Sequence, residues 1–166
     1  MADDVSQADR AREDRRQWAH DWYSYDAYLT VHDSHMRLLE DEGLVINNYL
    51  VINEVRNRHT NTLVQVQIEG AIYCKDDVVI FVDKWLAVRK DRSGRDEVKG
   101  DSYSYHALIR GNDQYLIRYD CAHGPLHKHD YEPSNGRESI VDIDLVDFPT
   151  LSDFIRDAID LRSKWP

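Results

Sequence analysis

Alternation between apolar and polar side chains dominates the middle of the chain, from Leu44 to about Ile143. In one segment apolar and polar residues alternate without a break. The apolar residues are Val64, Val66 and Ile68, and the polar residues between and after them are Gln65, Gln67 and Glu69. A period of two is typical of a strand with one face in water. The segments that connect such strands are too short to hold crossover helices, so neighbouring strands must run antiparallel. The sequence therefore predicts an antiparallel sheet of about five strands over residues 44–148.

A second run, Val78–Val82 continuing through Trp85, Leu86 and Val88, is apolar on both of its faces. Such a run suits a strand in the centre of the sheet, where both faces are buried. We expect a turn at residues 75–77 before it. The charged stretch 90–100, which contains Ser93 and Gly94, predicts a solvated turn after it.

Before the sheet, one face of a predicted helix carries apolar, aromatic and histidine side chains at alternating steps of four and three: Trp18, Trp22, Tyr25, Leu29, His32, Met36 and Leu39. We expect this helix to begin after Ser6, whose side chain can cap the amide of Asp9, and to end at Gly43. The heptad spacing permits a coiled coil and hence a homodimer, but two tryptophans and a tyrosine are bulky for such a seam. We therefore favour packing of the stripe on the protein's own sheet, with His32 as a boundary histidine.

A second helix is predicted at the C-terminus, over residues 149–166. Thr150 and Asp153 repeat the capping arrangement, and apolar residues follow at helical spacing: Leu151, Phe154, Ile155, Ala158 and Leu161. With 166 residues, the chain fits one domain with its own core. The sequence as a whole predicts an α+β domain in which a long N-terminal helix and a C-terminal helix pack against one face of a twisted antiparallel sheet.

Charge and composition exclude several classes of protein. The formal net charge of -10 disfavours a broad electrostatic grip on nucleic acid, because such binding depends on Lys and Arg neutralising phosphates. Asp outnumbers Glu and Arg outnumbers Lys, a balance typical of proteins adapted to high salt.

No apolar run is long enough to span a bilayer and Met1–Ser6 does not resemble a signal peptide, so we expect a soluble, cytoplasmic protein without membrane contacts. Cys74 and Cys121 fit no disulfide framework or metal motif and are predicted to be reduced thiols.

A β-hairpin follows the central strand. Residues 103–109 alternate between two faces, residues 111–113 form a Gly-containing turn, and residues 115–120 alternate again. If the loop holds three residues, the register sets Tyr105 opposite Tyr119 on one face and His106 opposite Arg118 on the other, with Asp120 near Ser104: these pairs bring imidazole, guanidinium and carboxylate groups together.

The segment that leaves the hairpin, from Cys121 to Asp130, is rich in histidine. His123, His127 and His129 join His106, so that half of the protein's 8 histidines fall between positions 106 and 129. Three interpretations are open. The cluster can cleave RNA without metal, with one histidine as base, a second as acid, and Arg118 with Lys128 stabilising the phosphorane. It can hold a metal such as zinc through His123, His127 and His129, with Asp120 or water completing the shell. Or it is a polar loop that faces solvent.

Four short motifs in this region resemble those of a known family: Tyr103-Ser-Tyr-His106, Ile117-Arg-Tyr-Asp120, Ala122-His123 and His127-Lys-His129. In this order they resemble the core of the TumE-like toxins of prokaryotic toxin–antitoxin modules, over about residues 73–159. The resemblance implies a small intracellular toxin with ribonuclease activity, neutralised by a cognate antitoxin that is usually a helix-turn-helix repressor. The long N-terminal helix and the short segment 124–126 depart from the family's pattern.

The leading hypothesis is a toxin that acts as an endoribonuclease on RNA and needs no metal or other cofactor. Its expected catalytic residues comprise three acid or base candidates, the phosphate ligand Arg118, a carboxylate that orients a histidine, and a further histidine: His106, His127, His129, Arg118, Asp120 and His123. Its expected substrate-binding residues are a second phosphate ligand and four tyrosines for base stacking: Lys128, Tyr103, Tyr105, Tyr119 and Tyr131. The alternatives are a noncatalytic binding module that pairs with a partner through the aromatic N-terminal helix, and a metal-dependent hydrolase.

Overall fold

The computed structural model describes residues 21–121 and 125–166, apart from the side chain of Val146. Within these residues the chain forms one nine-stranded antiparallel sheet, two α-helices and a short 3-10 turn at Leu145–Asp147. The helices are α1 (Tyr25–Asp41) and α2 (Leu151–Arg162). The strands are β1 (Tyr23–Ser24), β2 (Val45–Asn48), β3 (Val51–Arg56), β4 (Leu63–Cys74), β5 (Val78–Lys90), β6 (Asp96–Ile109), β7 (Gln114–Asp120), β8 (His127–Tyr131) and β9 (Glu138–Asp142). The predicted α+β class is confirmed.

The strand order of the sheet is β2-β4-β5-β6-β7-β8-β9, with β3 also paired to β4 and β1 to β6. The prediction of about five strands was too low because several short strands share a partner. β2 pairs with the C-terminal half of β4 and β3 with its N-terminal half, so two short strands occupy one edge. Alternation in the sequence marks the strands but not the breaks between them.

The prediction of one helix from Ser6 to Gly43 is wrong for the part that the structure describes. Helix α1 begins at Tyr25, and the Ser24 side chain accepts a hydrogen bond from the Ala27 amide at 3.5 Å. Tyr23 and Ser24 pair with β6 instead, so Trp22 is not on the helix. A backbone that hydrogen-bonds to a sheet cannot also supply a helical turn. Ser6, Asp9 and Trp18 lie outside the described residues.

The predicted end of the helix is confirmed. Gly43 has a φ of 70°, its amide donates to Glu40, and the Leu44 amide donates to Leu39, both at 2.9 Å. This pair of bonds is a Schellman motif, which requires a residue that tolerates positive φ. Met36 and Leu39 from the predicted stripe are buried against the protein's own sheet, as expected for intramolecular packing.

Helix α2 is formed as the sequence predicts. The Thr150 hydroxyl accepts a hydrogen bond from the Asp153 amide at 3.1 Å and caps the helix. The helix buries one apolar face in the main core: Leu151, Phe154, Ile155, Ala158 and Ile159. That core lies between the two helices and one face of the sheet, which we call the covered face. The opposite face, defined by Phe81, His106, Arg118, His129 and Ile140, is called the open face.

The β6–β7 hairpin has the predicted register but not the predicted loop. Tyr105 lies opposite Tyr119 and His106 opposite Arg118. However, Ile109 pairs directly with Gln114, so the loop is one residue longer than expected. A β-bulge at Leu116 absorbs the difference, because two residues of β7 oppose one residue of β6 there. The bulge therefore restores the pairing that places the polar groups on the open face.

Candidate functional site

Five neighbouring strands, β5 to β9, each place one residue in a single cross-strand row on the open face. Adjacent pairs in this central row are Phe81 with His106, His106 with Arg118, Arg118 with His129, and His129 with Ile140. Directly opposed side chains in antiparallel strands lie about 5 Å apart. The register thus brings two imidazoles to either side of one guanidinium. A second row runs beside it on the same face: Asp83, Ser104, Asp120, His127 and Asp142.

Arg118 is held by a carboxylate on its own strand. Its Nη2 atom donates to Asp120 Oδ2 at 2.8 Å, and the Asp120 carboxylate is 6% exposed while the Arg118 side chain is 30% exposed. The Arg118 Nε atom is buried and has no hydrogen-bond partner among the described residues. Asp120 therefore orients the guanidinium, whereas the sequence had suggested that it orients a histidine.

His129 is 7% exposed, and each of its ring nitrogens has a different environment. Nδ1 lies 2.7 Å from Glu138 Oε1, and because a carboxylate only accepts, Nδ1–H is the donor. The hydrogen bond from His129 is the main cause of a lowered pKa at Glu138, so that carboxyl is ionised at neutral pH. Nε2 is buried without a hydrogen-bond partner in the described part of the chain. Among the histidines that the structure describes, this is the one nitrogen that is both buried and unpaired, a costly state unless a ligand pairs with it.

His127 lies beside His129, with ring centroids 4.9 Å apart. Its Nδ1 is 2.8 Å from the Pro125 carbonyl oxygen, which fixes the proton on Nδ1 because a carbonyl can only accept. This leaves Nε2 as the nitrogen with a free lone pair in the neutral ring. His127 therefore has a defined tautomer in the second row, next to His129 of the central row.

His106 is neutral at physiological pH. Burial, and after it the charge of Arg118, lower its pKa to about 4, while Asp120 opposes the shift. Its Nε2 is 2.8 Å from Ser104 Oγ. A neutral imidazole beside a guanidinium is equipped to accept a proton.

Two tyrosines extend the site away from the second row. The rings of Tyr115 and Tyr131 stack with centroids 5.5 Å apart and an interplanar angle of 21°. Tyr115 also meets the His106 ring edge-on at 6.3 Å, and the Tyr131 hydroxyl donates to Glu138 Oε1 at 2.8 Å. The same Glu138 oxygen thus accepts one hydrogen bond from His129 and one from the aromatic pair.

No protein-family model, curated protein or solved structure matches the chain.

Lys128 does not join this site. It pairs with Tyr119 in register and therefore projects from the covered face, where Nζ lies 5.9 Å from the Tyr119 ring centroid and 2.8 Å from Asp130 Oδ1. Arg118 is on the other face of the sheet. Lys128 follows His127 and precedes His129 in β8, and neighbouring side chains in a strand point in opposite directions. The prediction that Arg118 and Lys128 bind one phosphate together is therefore wrong.

Three of the four tyrosines expected to stack bases are core residues. Tyr103, Tyr105 and Tyr119 are 3%, 0% and 8% exposed. Each packs on Phe148 with centroids between 4.8 and 5.6 Å apart. They cannot offer a ring face to a ligand, and of the four only Tyr131 lies at the site. His123 lies outside the described residues, so its place relative to the cluster stays a prediction.

Sequence reasoning missed Tyr115 and Glu138. A signal for Glu138 was present in Pro133-Ser-Asn-Gly136, which predicts a turn and hence a β8–β9 hairpin. Counting outward from that turn places Glu138 opposite Tyr131. Unbroken alternation over residues 115–120 would place Tyr115 on the same face as Tyr119, but the bulge at Leu116, which has no clear signature in one sequence, moves it to the open face.

Other features of the described residues lie apart from this site. Within residues 21–121 and 125–166, no three His, Cys, Asp or Glu side chains approach closely enough to hold a metal ion, and neither helix is long and apolar enough to cross a bilayer. Burial raises the pKa of both thiols, to about 12 at Cys74. A cavity of about 190 Å³ between the β4–β5 turn and Arg110 contains none of the predicted site residues.

Proposed function

We propose that this protein is an RNA-cleaving toxin of a prokaryotic toxin–antitoxin module, acting as an endoribonuclease that needs no metal. The observation that supports cleavage is the central row, in which His106 and His129 flank Arg118 and in which His129 Nε2 and Arg118 Nε lack partners in the described chain. The ordered motifs that resemble TumE-like toxins support the assignment to a toxin. A cognate helix-turn-helix antitoxin is the partner that this resemblance implies.

His106 is proposed as the general base. It is neutral at physiological pH because burial and Arg118 lower its pKa to about 4. It would remove the proton from the 2′-hydroxyl of the RNA, whose oxygen then attacks the adjacent phosphorus. A base that lies beside a cation is well placed, because the same cation holds the phosphate that is attacked.

His129 is proposed as the general acid, with His127 beside it. In its protonated form, His129 carries a proton on Nε2 and is stabilised by the ionised Glu138 at Nδ1. It would give the Nε2 proton to the departing 5′-oxygen as the phosphorus–oxygen bond breaks. The products are a 2′,3′-cyclic phosphate and a free 5′-hydroxyl, so the step consumes no water and no redox partner.

Arg118 is proposed to stabilise the charge that develops on the phosphorane. Its ion pair with the buried Asp120 sets the direction of the guanidinium and leaves Nε and part of the fork for the phosphate oxygens. Such preorganised donors act strongly because they need no reorientation during the reaction. With Lys128 on the covered face, Arg118 alone carries this role in the central row.

The decisive experiment is expression of the chain alone and together with the neighbouring gene, followed by mapping of RNA ends. We expect growth arrest, relief by the neighbouring antitoxin, and new RNA ends that carry a cyclic phosphate and a 5′-hydroxyl. The variants His106→Gln and Arg118→Gln should reduce cleavage by about 10²- to 10⁴-fold, since each removes one contribution to proton transfer or charge stabilisation.

The matched control is His59→Gln, which alters an exposed histidine in the β3–β4 loop. It should leave both toxicity and cleavage unchanged. Far-UV circular dichroism and thermal unfolding would show that all three variants are folded. If His106→Gln and Arg118→Gln cleaved RNA as fast as the parent protein, the catalytic assignment would be wrong.

A further inference from the structure

The aromatic pair formed by Tyr115 and Tyr131 is linked through Glu138 to His129, the histidine proposed above as the general acid. Glu138 Oε1 accepts hydrogen bonds from both the Tyr131 hydroxyl and His129 Nδ1, at 2.8 and 2.7 Å. On its other side, the pair meets His106 edge-on through Tyr115. Both tyrosine side chains keep part of their surface in solvent. A flat group that stacks on this pair would therefore lie next to the row that handles protons.

The charge around the site limits how much phosphate it can hold. Apart from the histidines, the central row, the second row and the aromatic pair with Glu138 contain one cation, Arg118, against four carboxylates: Asp83, Asp120, Glu138 and Asp142. One of these carboxylates is already paired with the guanidinium. Repulsion by the others disfavours a run of backbone phosphates, so electrostatic attraction supports about one phosphate contact.

A ligand with one tolerated phosphate must gain its affinity from another source. Stacking of a base on an aromatic side chain is worth about 1–3 kcal/mol and does not depend on phosphate charge. A base inside a duplex is already stacked between its neighbours, and only a single strand can present one to the tyrosines. The low positive charge and the exposed tyrosine pair both favour a single-stranded nucleic acid.

We propose that Tyr115 and Tyr131 form a nucleobase-binding subsite, and that the protein takes single-stranded RNA through one stacked base and one phosphate on Arg118. The proposal rests on the proposed function, because it assigns the substrate class of that same site. It also predicts weak dependence of binding on the length of the strand, since nucleotides beyond the stacked base and its phosphate meet carboxylates rather than cations.

Binding can be tested without cleavage. The probe is a fluorescein-labelled, single-stranded 2′-O-methyl oligonucleotide, which has no free 2′-hydroxyl to attack the phosphate, and the readout is fluorescence anisotropy. Tyr131→Leu should weaken binding by about 5- to 160-fold, which corresponds to the loss of one stacked base. Tyr131→Phe keeps the ring and should bind nearly as well as the parent. Tyr49→Leu, which changes a tyrosine that is 60% exposed at the far edge of the sheet, is the matched control and should have no effect.

An abasic position in the oligonucleotide removes the base that would stack on Tyr131, so it deletes the same contact as Tyr131→Leu. Scanning the abasic site along the strand should reveal one position where the loss equals that of Tyr131→Leu. Combining the two changes should cost no more than either alone, because both delete one interaction. The logarithm of the association constant should fall with the logarithm of the salt concentration with a slope of about −0.7, as for one neutralised phosphate on a single strand. A duplex of the same sequence should bind more weakly.

Failure of this subsite can be distinguished from failure of catalysis. If His106-dependent cleavage is found but Tyr131→Leu and every abasic probe bind like their parents, the base subsite is refuted and the nuclease stands. If no cleavage is found but the abasic and Tyr131→Leu losses coincide, the subsite stands and the nuclease does not. Independent, additive losses would also refute the subsite, because they would show that the tyrosine and the base do not touch.

Discussion

Replacement of Lys84 by methionine should stabilise the protein. Lys84 is a buried lysine on the covered face of β5, with 7% of its surface exposed. Its Nζ lies 5.1 Å from the Tyr28 ring centroid and 4.9 Å from that of Tyr103. Burial lowers its pKa from 10.5 to about 7. Burial lowers the pKa of His32 to about 4, and the charge of Lys84 is the second cause of that shift.

The size of the effect follows from the pKa of Lys84. The difference between 10.5 and about 7 corresponds to a cost of about 5 kcal/mol for holding the charged lysine in the folded protein. A methionine of similar length keeps the packing without the charge. We therefore expect Lys84→Met to raise the free energy of unfolding at neutral pH by several kcal/mol, at most about 5 kcal/mol.

The pH dependence gives the sharper test. Between pH 7 and 10.5 the unfolded chain keeps a proton on Lys84 that the folded chain has released, so the parent protein gains stability as the pH rises through this window. Below pH 7 both states are protonated and the full cost is present. The methionine variant lacks this group, so the difference in stability between the two proteins should shrink steadily from pH 7 upwards.

The measurement is urea unfolding followed by far-UV circular dichroism at several pH values on both sides of neutrality. Lys99→Met, which replaces a half-exposed lysine of β6, is the matched control and should show no comparable gain. A difference between parent and Lys84→Met that stays constant from pH 6 to pH 10, or a variant less stable than its parent at pH 7, would refute the reasoning about this charge.

Two further predictions concern the site and the fold. The pH profile of kcat/KM for RNA cleavage should have its acidic limb at about pH 4. His106 must be neutral to accept a proton, and its pKa is lowered to about 4. An acidic limb near pH 6.5 would assign the role of base to another histidine. Gly70→Ala should destabilise the protein by at least about 2 kcal/mol in urea unfolding, because Gly70 has a φ of 137° and an added Cβ would collide with the Tyr49 carbonyl oxygen. Wild-type stability in that variant would show that β2, β3 and β4 can separate freely at this point.

The parts of the fold set by local patterns were predictable. Thr150 and Gly43 delimit their helices through hydrogen bonds within a few residues, and the alternation around His106 and Arg118 fixes which side chains share a face. These interactions are short in sequence, so a single sequence contains what is needed to infer them.

The parts set by distant pairing were not predictable. Helix α1 starts late because Tyr23 and Ser24 pair with strand β6, more than seventy residues away in the chain. Lys84 lies on the otherwise apolar covered face of β5, where two tyrosine rings from other elements contact its ammonium group. In both cases the partner is chosen by tertiary structure, which local propensity does not record.

In the candidate site, the histidines and Arg118 were identified from residue type and spacing, but the supporting groups were not. Glu138 is contributed by a strand whose register depends on a turn at residues 132–137. The tyrosine-rich string around Tyr103 suggested stacking surfaces, yet burial against Phe148 uses those rings for the core. Spacing indicates which groups can meet, whereas burial decides which remain available.

The extra residue at Leu116 has a consequence for how this hairpin can vary. Deletion of Leu116 alone would remove the bulge but keep the register, because Ala107 would still pair with Ile117. Arg118 and Asp120 would therefore stay on the open face. A hairpin shortened at this one position should be tolerated by itself, without a second length change at the tip of the loop.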